Sequence, residues 1–269
     1  MKNILNSLIA AFAVYSRIPM PEIKWTEKNL KYSFVFLPLV GAVIGALITA
    51  LMISCGYFGF HGIFFASTAI IVNILITGGI HLDGFCDVMD AVGSRREREE
   101  MLRIMEDPHT GAFAVIYMAA LLVVQLGLYT QLFYSGWLAA MFADGTCKKA
   151  VCAALLCIFV LSRIAAGISV VTFPKAKSGG LAAMFADGAC KKAVCAALLC
   201  MTAAIFTVWI LSYVTVGVIL AFFSALLFLW YYCWSKKRFG GITGDTTGFF
   251  INIFETAMLF AVVVLGVVM

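Results

Sequence analysis

Residues 33–57 read SFVFLPLVGAVIGALITALMISCGY, a run without a single Asp, Glu, Lys or Arg. About 20 apolar residues in a helix cross the hydrocarbon of a bilayer, and in lipid a helix satisfies every backbone N–H and C=O internally. The run is read as a membrane span, and the rest of the chain repeats it. Apolar stretches of spanning length at 61–80, 111–134, 150–173, 191–212, 213–234 and 248–269 alternate with short polar segments. The expected fold is all-α, a polytopic integral membrane protein of about seven transmembrane helices.

Composition agrees with this. Of 269 residues, 63% are hydrophobic and 12% charged, against roughly 45–50% apolar and about 25% charged in soluble domains. A soluble globular enzyme, a disordered chain and a nucleic-acid-binding module are thereby excluded. The net charge of +5 reads as Lys and Arg held in cytoplasmic loops, with no nucleic acid as partner. Nine cysteines include no C-x-x-C pair and no Cys/His cluster, so neither zinc nor a disulfide scaffold is indicated. Near the N-terminus, Ile4 to Val14 is too short to span and stops at Arg17-Ile18-Pro19. It is expected to be a retained helix lying in or near the interface.

The loops at 17–31, 81–110, 174–192 and 235–247 carry nearly all the Lys and Arg. With seven spans they fall on one side, which makes that side cytoplasmic and the protein a multi-pass component of the cell (cytoplasmic or inner) membrane. No composition shift divides the chain, so 1–269 reads as a single membrane-embedded catalytic domain. A near-identical repeat interrupts it. Residues 138–157, LAAMFADGTCKKAVCAALLC, recur at 181–200 with only Thr146 changed to Ala189. This reads as a recent duplication or an assembly artefact. The first copy is the suspected insertion, because it puts Lys148 and Lys149 on the outer side. The sequence leaves a monomer and a homo-oligomer both open.

Eight of the fourteen carboxylates lie between Asp83 and Asp107. Asp83, Asp87 and Asp90 are spaced i, i+4, i+7 and share one face of a helix. Like charges so placed repel unless a cation offsets them, and an all-oxygen set favours Mg²⁺ or Mn²⁺ over zinc. His81 is a ligand, an acid/base or an orienting group. Residues 94–107, SRREREEMLRIMED, read as a surface helix laced with ion pairs. The loop Gly240-Gly241-Ile242-Thr243-Gly244-Asp245-Thr246-Thr247-Gly248 offers backbone N–H groups and a following helix N-terminus to an anion. It lacks the Gly-Lys-Ser/Thr of a Walker loop, and a flexible interhelical turn reads equally well. Asn252 and Glu255 follow Asp245 by about two and three turns. Arg17 sits at an interface, where snorkelling also accounts for it. Arg163 falls mid-span and should face a carboxylate, a phosphate or a cavity. Acids ready for a metal, a glycine loop and arginines on one face suggest chemistry on a phosphorylated substrate.

These residues resemble the cobalamin synthase family, the adenosylcobinamide-GDP ribazoletransferases. The resemblance rests on Ser16-Arg17-Ile18-Pro19, Pro38-Leu39-Val40-Gly41, Gly78-Gly79-Ile80-His81-Leu82-Asp83-Gly84 with Asp87 and Asp90, Ile104-Met105-x-Asp107 with Gly111, and Gly240-Gly241-x-Thr243-Gly244-Asp245 ending at Glu255. It implies an enzyme of the last stage of vitamin B12 assembly. Such an enzyme joins adenosylcobinamide-GDP to α-ribazole or its 5′-phosphate and releases GMP, with Mg²⁺. On this resemblance Asp83 and Asp87 hold Mg²⁺, Asp90 is a third ligand or the base, and Asp245 and Glu255 complete the acidic site or order a second ion. Arg17 and Arg163 neutralise phosphate alongside Gly244 and Asn252, and His81 orients an acid. The chain departs from the family pattern at Glu106, Pro108 and His109, which lowers the positive charge of that loop, and in the doubled segment. A CDP-alcohol phosphotransferase acting on lipid and a membrane transporter are the alternatives.

Overall fold

A computed structural model describes residues 2–142, 146–177, 188–212 and 214–268. Among them are eleven helices and no strand. In chain order these are α1 (Lys2–Tyr15), α2 (Glu27–Leu30), α3 (Ser33–Tyr57), α4 (Gly62–Thr77), α5 (Ile80–Gly93), α6 (Arg98–Ile104), α7 (Ala112–Phe142), α8 (Thr146–Thr172), α9 (Lys191–Ser212), α10 (Val214–Phe239) and α11 (Gly244–Val268). Six of them are long and apolar enough to cross a membrane, and the count is seven when the bent pair α4–α5 is taken as one span. Large apolar side chains such as Leu47, Ile71, Val123, Leu199, Leu211 and Phe222 are exposed on the outside of the bundle. In water so broad an apolar surface would drive association; in lipid it is the expected outer face.

The span expected at 61–80 ends early, and α5 fills part of what was read as a loop at 81–110. Two left-handed glycines cause this. Gly78 has φ 64° and Gly79 φ 77°, a region that only glycine enters without cost, and the N–H groups of both donate back to Ile74 O. The chain turns by 95° at this elbow. Both ends of α5 stay at one end of the bundle, because its first turn packs on the start of α11 and its last turn on the start of α7. Therefore α4 is the crossing arm and α5 lies across the rim. Two other boundaries move as well. α10 runs on to Phe239 through Lys236, Lys237 and Arg238, and α11 starts at Gly244, which takes Asp245 out of the loop and into a helix.

α3 and α8 form the centre. A Cβ on Gly41 would fall 2.2 Å from Phe159 O, and one on Gly45 would fall 2.8 Å from Leu156 Cα. Small residues four apart thus let two backbones approach, the usual means of helix association in lipid. α1 is more than an interfacial strap: Ala10 and Ala11 are fully buried, and it packs on α3. A smaller cluster, including Phe85, Val88, Met101, Leu121, Phe239 and Phe249, seats the buried face of α5.

The repeat falls in two settings. The first copy spans the end of α7 and the beginning of α8; the side chains of 136–151, including Lys148 and Lys149, lie outside the described residues. The second copy begins outside them and continues into α9. In the shared string, Leu155 of α8 and Leu198 of α9 are both buried. Leu156 meets Gly45, whereas its counterpart Leu199 is 56% exposed.

Candidate active site

The rim is built from the elbow outward. Asp83 N–H donates to Gly79 O at 2.8 Å, opening α5 one residue past the turn. His81, Gly84, Phe85, Val88 and Ala91 form the buried face of that helix, so Asp83, Asp87 and Asp90 share the opposite stripe, as their spacing requires, with Asp83 exposed and the other two half-buried. α11 then crosses beside it. A Cβ on Gly84 would lie 2.8 Å from Asp245 Cα. Only glycine at that position lets the backbone bearing Asp245 reach the helix bearing Asp83 and Asp87.

The carboxylates feel one another. Burial pushes the Asp87 carboxyl up to about 7, and Asp83, Asp245 and Asp90 add to the shift in that order. Their roles nevertheless divide. Asp90 accepts hydrogen bonds from the N–H groups of Gly111 (2.6 Å) and Ala114 (2.8 Å). Both its oxygens therefore cap α7 and tie α5 to it, which leaves Asp83, Asp87 and Asp245 as the open acids of the rim. Among the described residues no three His, Cys, Asp or Glu side chains converge closely enough to hold a metal ion unaided. The set fits an ion that takes one or two protein carboxylates and completes its shell with water and phosphate oxygens, which is the habit of Mg²⁺.

The glycine loop is less open than its sequence suggests. Thr243 N–H donates to Thr246 Oγ1 (2.8 Å) and Thr246 N–H to Thr243 Oγ1 (3.1 Å), a reciprocal cap on α11. Ile242 N–H donates to Pro174 O and Ala176 N–H to Ile242 O, both at 2.9 Å. These bonds spend donors that an anion would have used. They also bring Lys175 and Lys177 to the site. Lys177 Nζ donates to Leu102 O and Glu106 Oε1, each at 2.7 Å. Sequence reasoning missed both lysines as site residues; the signal available was the basic Pro174-Lys175-Ala176-Lys177 run at the end of a span. At the exposed edge, the backbone N–H and imidazole of His109 hold the Asp107 carboxyl below its usual range, closing the loop before α7.

Arg163 and Glu255 do not face the rim. Arg163 is fully buried and Glu255 nearly so, and they form an ion pair with each other. Arg163 Nη1 also donates to Ser162 Oγ (2.8 Å), Ser162 Oγ to Glu255 Oε1 (2.9 Å), and Asn73 Nδ2 to Glu255 Oε2 (3.3 Å). The expected phosphate contact of Arg163 is corrected accordingly: in low dielectric a charge is stabilised by the nearest opposite charge, and here that is Glu255. Asn252 serves the same interior, since its Nδ2 donates to His81 O at 2.8 Å and locks α11 to the first turn of α5. His81 is buried, and burial together with the Arg163 charge holds it neutral, its pKa well below the usual value.

Two cavities flank Asp83. One, of about 420 Å³, lies among His81, Lys175, Lys177, Thr243, Gly244 and Asp245. The other, of about 630 Å³, lies between α1 and the elbow, with Arg17, Gly78, Leu82, Cys86 and Met118 around it. Acids, cations and helix ends gathered beside two cavities suit transfer of a phosphoryl-containing group between two substrates.

A family model described as cobalamin-5-phosphate synthase matches residues 7–263. A relative from Lachnoclostridium phytofermentans is 37% identical over 262 residues, covering 97% of this chain and 94% of its own. Relatives from Clostridium botulinum strain Eklund 17B (36% over 127 residues, 47% of this chain and 50% of that one) and Halalkalibacterium halodurans (39% over 117 residues, 43% and 44%) match about half of each chain. All three bear the name adenosylcobinamide-GDP ribazoletransferase. No solved structure matches.

Proposed function

The chain belongs to the cobalamin-5-phosphate synthase family, and from that premise we propose how its rim performs the transfer that joins adenosylcobinamide-GDP to α-ribazole or α-ribazole 5′-phosphate with release of GMP. Neither a lipid phosphotransferase nor a transporter is favoured by the relatives. The observation that carries the reading is the approach of α5 and α11 at Gly84, which sets Asp83 and Asp245 on one cavity with Lys175 and Lys177, while Asp87 lies near enough to feel both acids.

In this proposal Asp83 and Asp87 offer oxygens to one Mg²⁺, with Asp245 completing the rim. When bound, the ion neutralises charge on the phosphate oxygens and draws them to a fixed place. Lys175 and Lys177 add positive charge from the other side. Asp90 and Asn252 position α5 from its two ends, and the Arg163–Glu255 pair supports the interior beneath it. The loops of the rim, rich in Lys and Arg, face the cytoplasm.

Turnover of the two precursors by protein in lipid vesicles, with and without Mg²⁺, tests the proposal. Asp83→Asn should lower turnover by at least about a hundredfold, as loss of a group acting in the transition state does, while membrane insertion is kept. Mg²⁺-dependent turnover at the wild-type rate in that variant would refute the assignment.

A further inference from the structure

Asp83 is the acidic residue, among those described, that lines both cavities. Resting on the transfer proposed above, the geometry points to a division of the substrates at this side chain. The cavity of about 420 Å³ takes the pyrophosphate of the nucleotide-activated substrate. The cavity of about 630 Å³ takes the acceptor nucleoside, with its phosphate on Arg17.

The residues that only one cavity owns separate the two. Lys175 and Lys177 border only the first, together with Asp245, Glu106 and an apolar side of Phe34, Leu37 and Ile251, so it offers cations to a multiply charged anion and acids to its counter-ion. Val14 and Ile80 border both cavities, whereas Leu82 and Met118 belong to the second alone, with Arg17 as its cation. Leu82 and Met118 beside a single guanidinium match an aromatic base on a ribose carrying one phosphate, which a guanidinium can grip with two parallel hydrogen bonds. Arg17 is placed for this by its own backbone. Its N–H donates to Ile76 O at 2.7 Å, and its stem crosses Gly78, where a Cβ would fall 2.3 Å from Nε. Its guanidinium makes no ion pair with the carboxylates among the described residues.

The reacting atoms then meet at the wall between the cavities. A ribose hydroxyl oxygen of the acceptor bonds to the phosphorus bearing the cobinamide arm. The bond from that phosphorus to the GMP oxygen breaks, GMP leaving with the electron pair. The hydroxyl proton is released to solvent water.

Steady-state kinetics of the full chain in vesicles, with α-ribazole and α-ribazole 5′-phosphate as alternative acceptors, tests the division. Arg17→Met should raise KM for the phosphorylated acceptor about tenfold or more, the weight of a charged hydrogen-bonding partner. KM for α-ribazole and for adenosylcobinamide-GDP should stay within about twofold, and Arg17→Lys should recover part of the loss. Met118→Trp, which fills the apolar wall, should raise KM for both acceptors and spare the nucleotide-activated substrate. A rise in KM for adenosylcobinamide-GDP in either variant overturns the division, as does unchanged acceptor KM in both. Absence of product from wild-type protein with either acceptor would instead bring down the transfer reading itself.

Discussion

Gly84→Ala should uncouple the two acidic helices while leaving the fold largely intact. A Cβ there would sit 2.8 Å from Asp245 Cα and 2.9 Å from Asp245 O, where ordinary contact begins at 3.4 Å. The atoms in the way are backbone, so no rotamer change relieves the overlap, and α11 must move from α5 by about 0.6 Å or more. Overpacking of this kind costs about 1–3 kcal/mol, of which the better helix propensity of alanine returns up to about 1 kcal/mol. The net loss of stability is therefore small, about 0–2 kcal/mol when alanine returns its full propensity. Activity takes the larger loss, because misplacing reacting groups by about 1 Å can cost a hundredfold. We expect kcat to fall about tenfold to a hundredfold at saturating substrates, with a modest drop in melting temperature. Gly127→Ala, whose new Cβ would meet nothing within 4 Å, is the control. A Gly84→Ala protein with wild-type kcat would show that contact between α5 and α11 at Asp245 is irrelevant to the chemistry.

The interior pair and the rim carry further expectations. Glu255→Ala strands the Arg163 charge in a buried setting and should destabilise the protein by about 3–5 kcal/mol, whereas Arg163→Met combined with Glu255→Met should recover most of that in thermal melts. The Asp87 carboxyl, raised to about 7 in the fold, binds its proton more tightly folded than unfolded. Without metal, its contribution to stability is full below the unfolded pKa of about 3.9. It is lost as pH climbs through 7. Melting temperatures in metal-free buffer should fall between pH 5 and 8, and added Mg²⁺ should restore them at pH 8. A flat profile that ignores Mg²⁺ would contradict this.

Helix identity was legible because lipid leaves one solution for an uncharged run such as 33–57, and α3 and α9 match their expected limits. The bend was not. Residues 61–80 look like one span because hydropathy does not register backbone handedness; Gly78 and Gly79 acted on φ alone. The acidic stripe was legible from its spacing, but the separate duty of Asp90 was not, since its partners are N–H groups that belong to every residue type. Arg163 could be placed next to a carboxylate, a phosphate or a cavity from its depth. Choosing among the three needed α8 and α11 brought side by side. Lys175 and Lys177 went unnoticed as site residues because their value comes from a single bridge to Ile242.

One string of letters occurs in α8 and again in α9, and the two copies keep different company: Leu156 nests against a glycine notch, while Leu199 looks out at acyl chains. Outside a bilayer, such a swap of neighbours would require a change from oily to watery lettering. Here both surroundings are oily, so the words themselves carry no address. Placement is dictated by the contour of whatever lies opposite, so one string serves as a membrane helix in either setting.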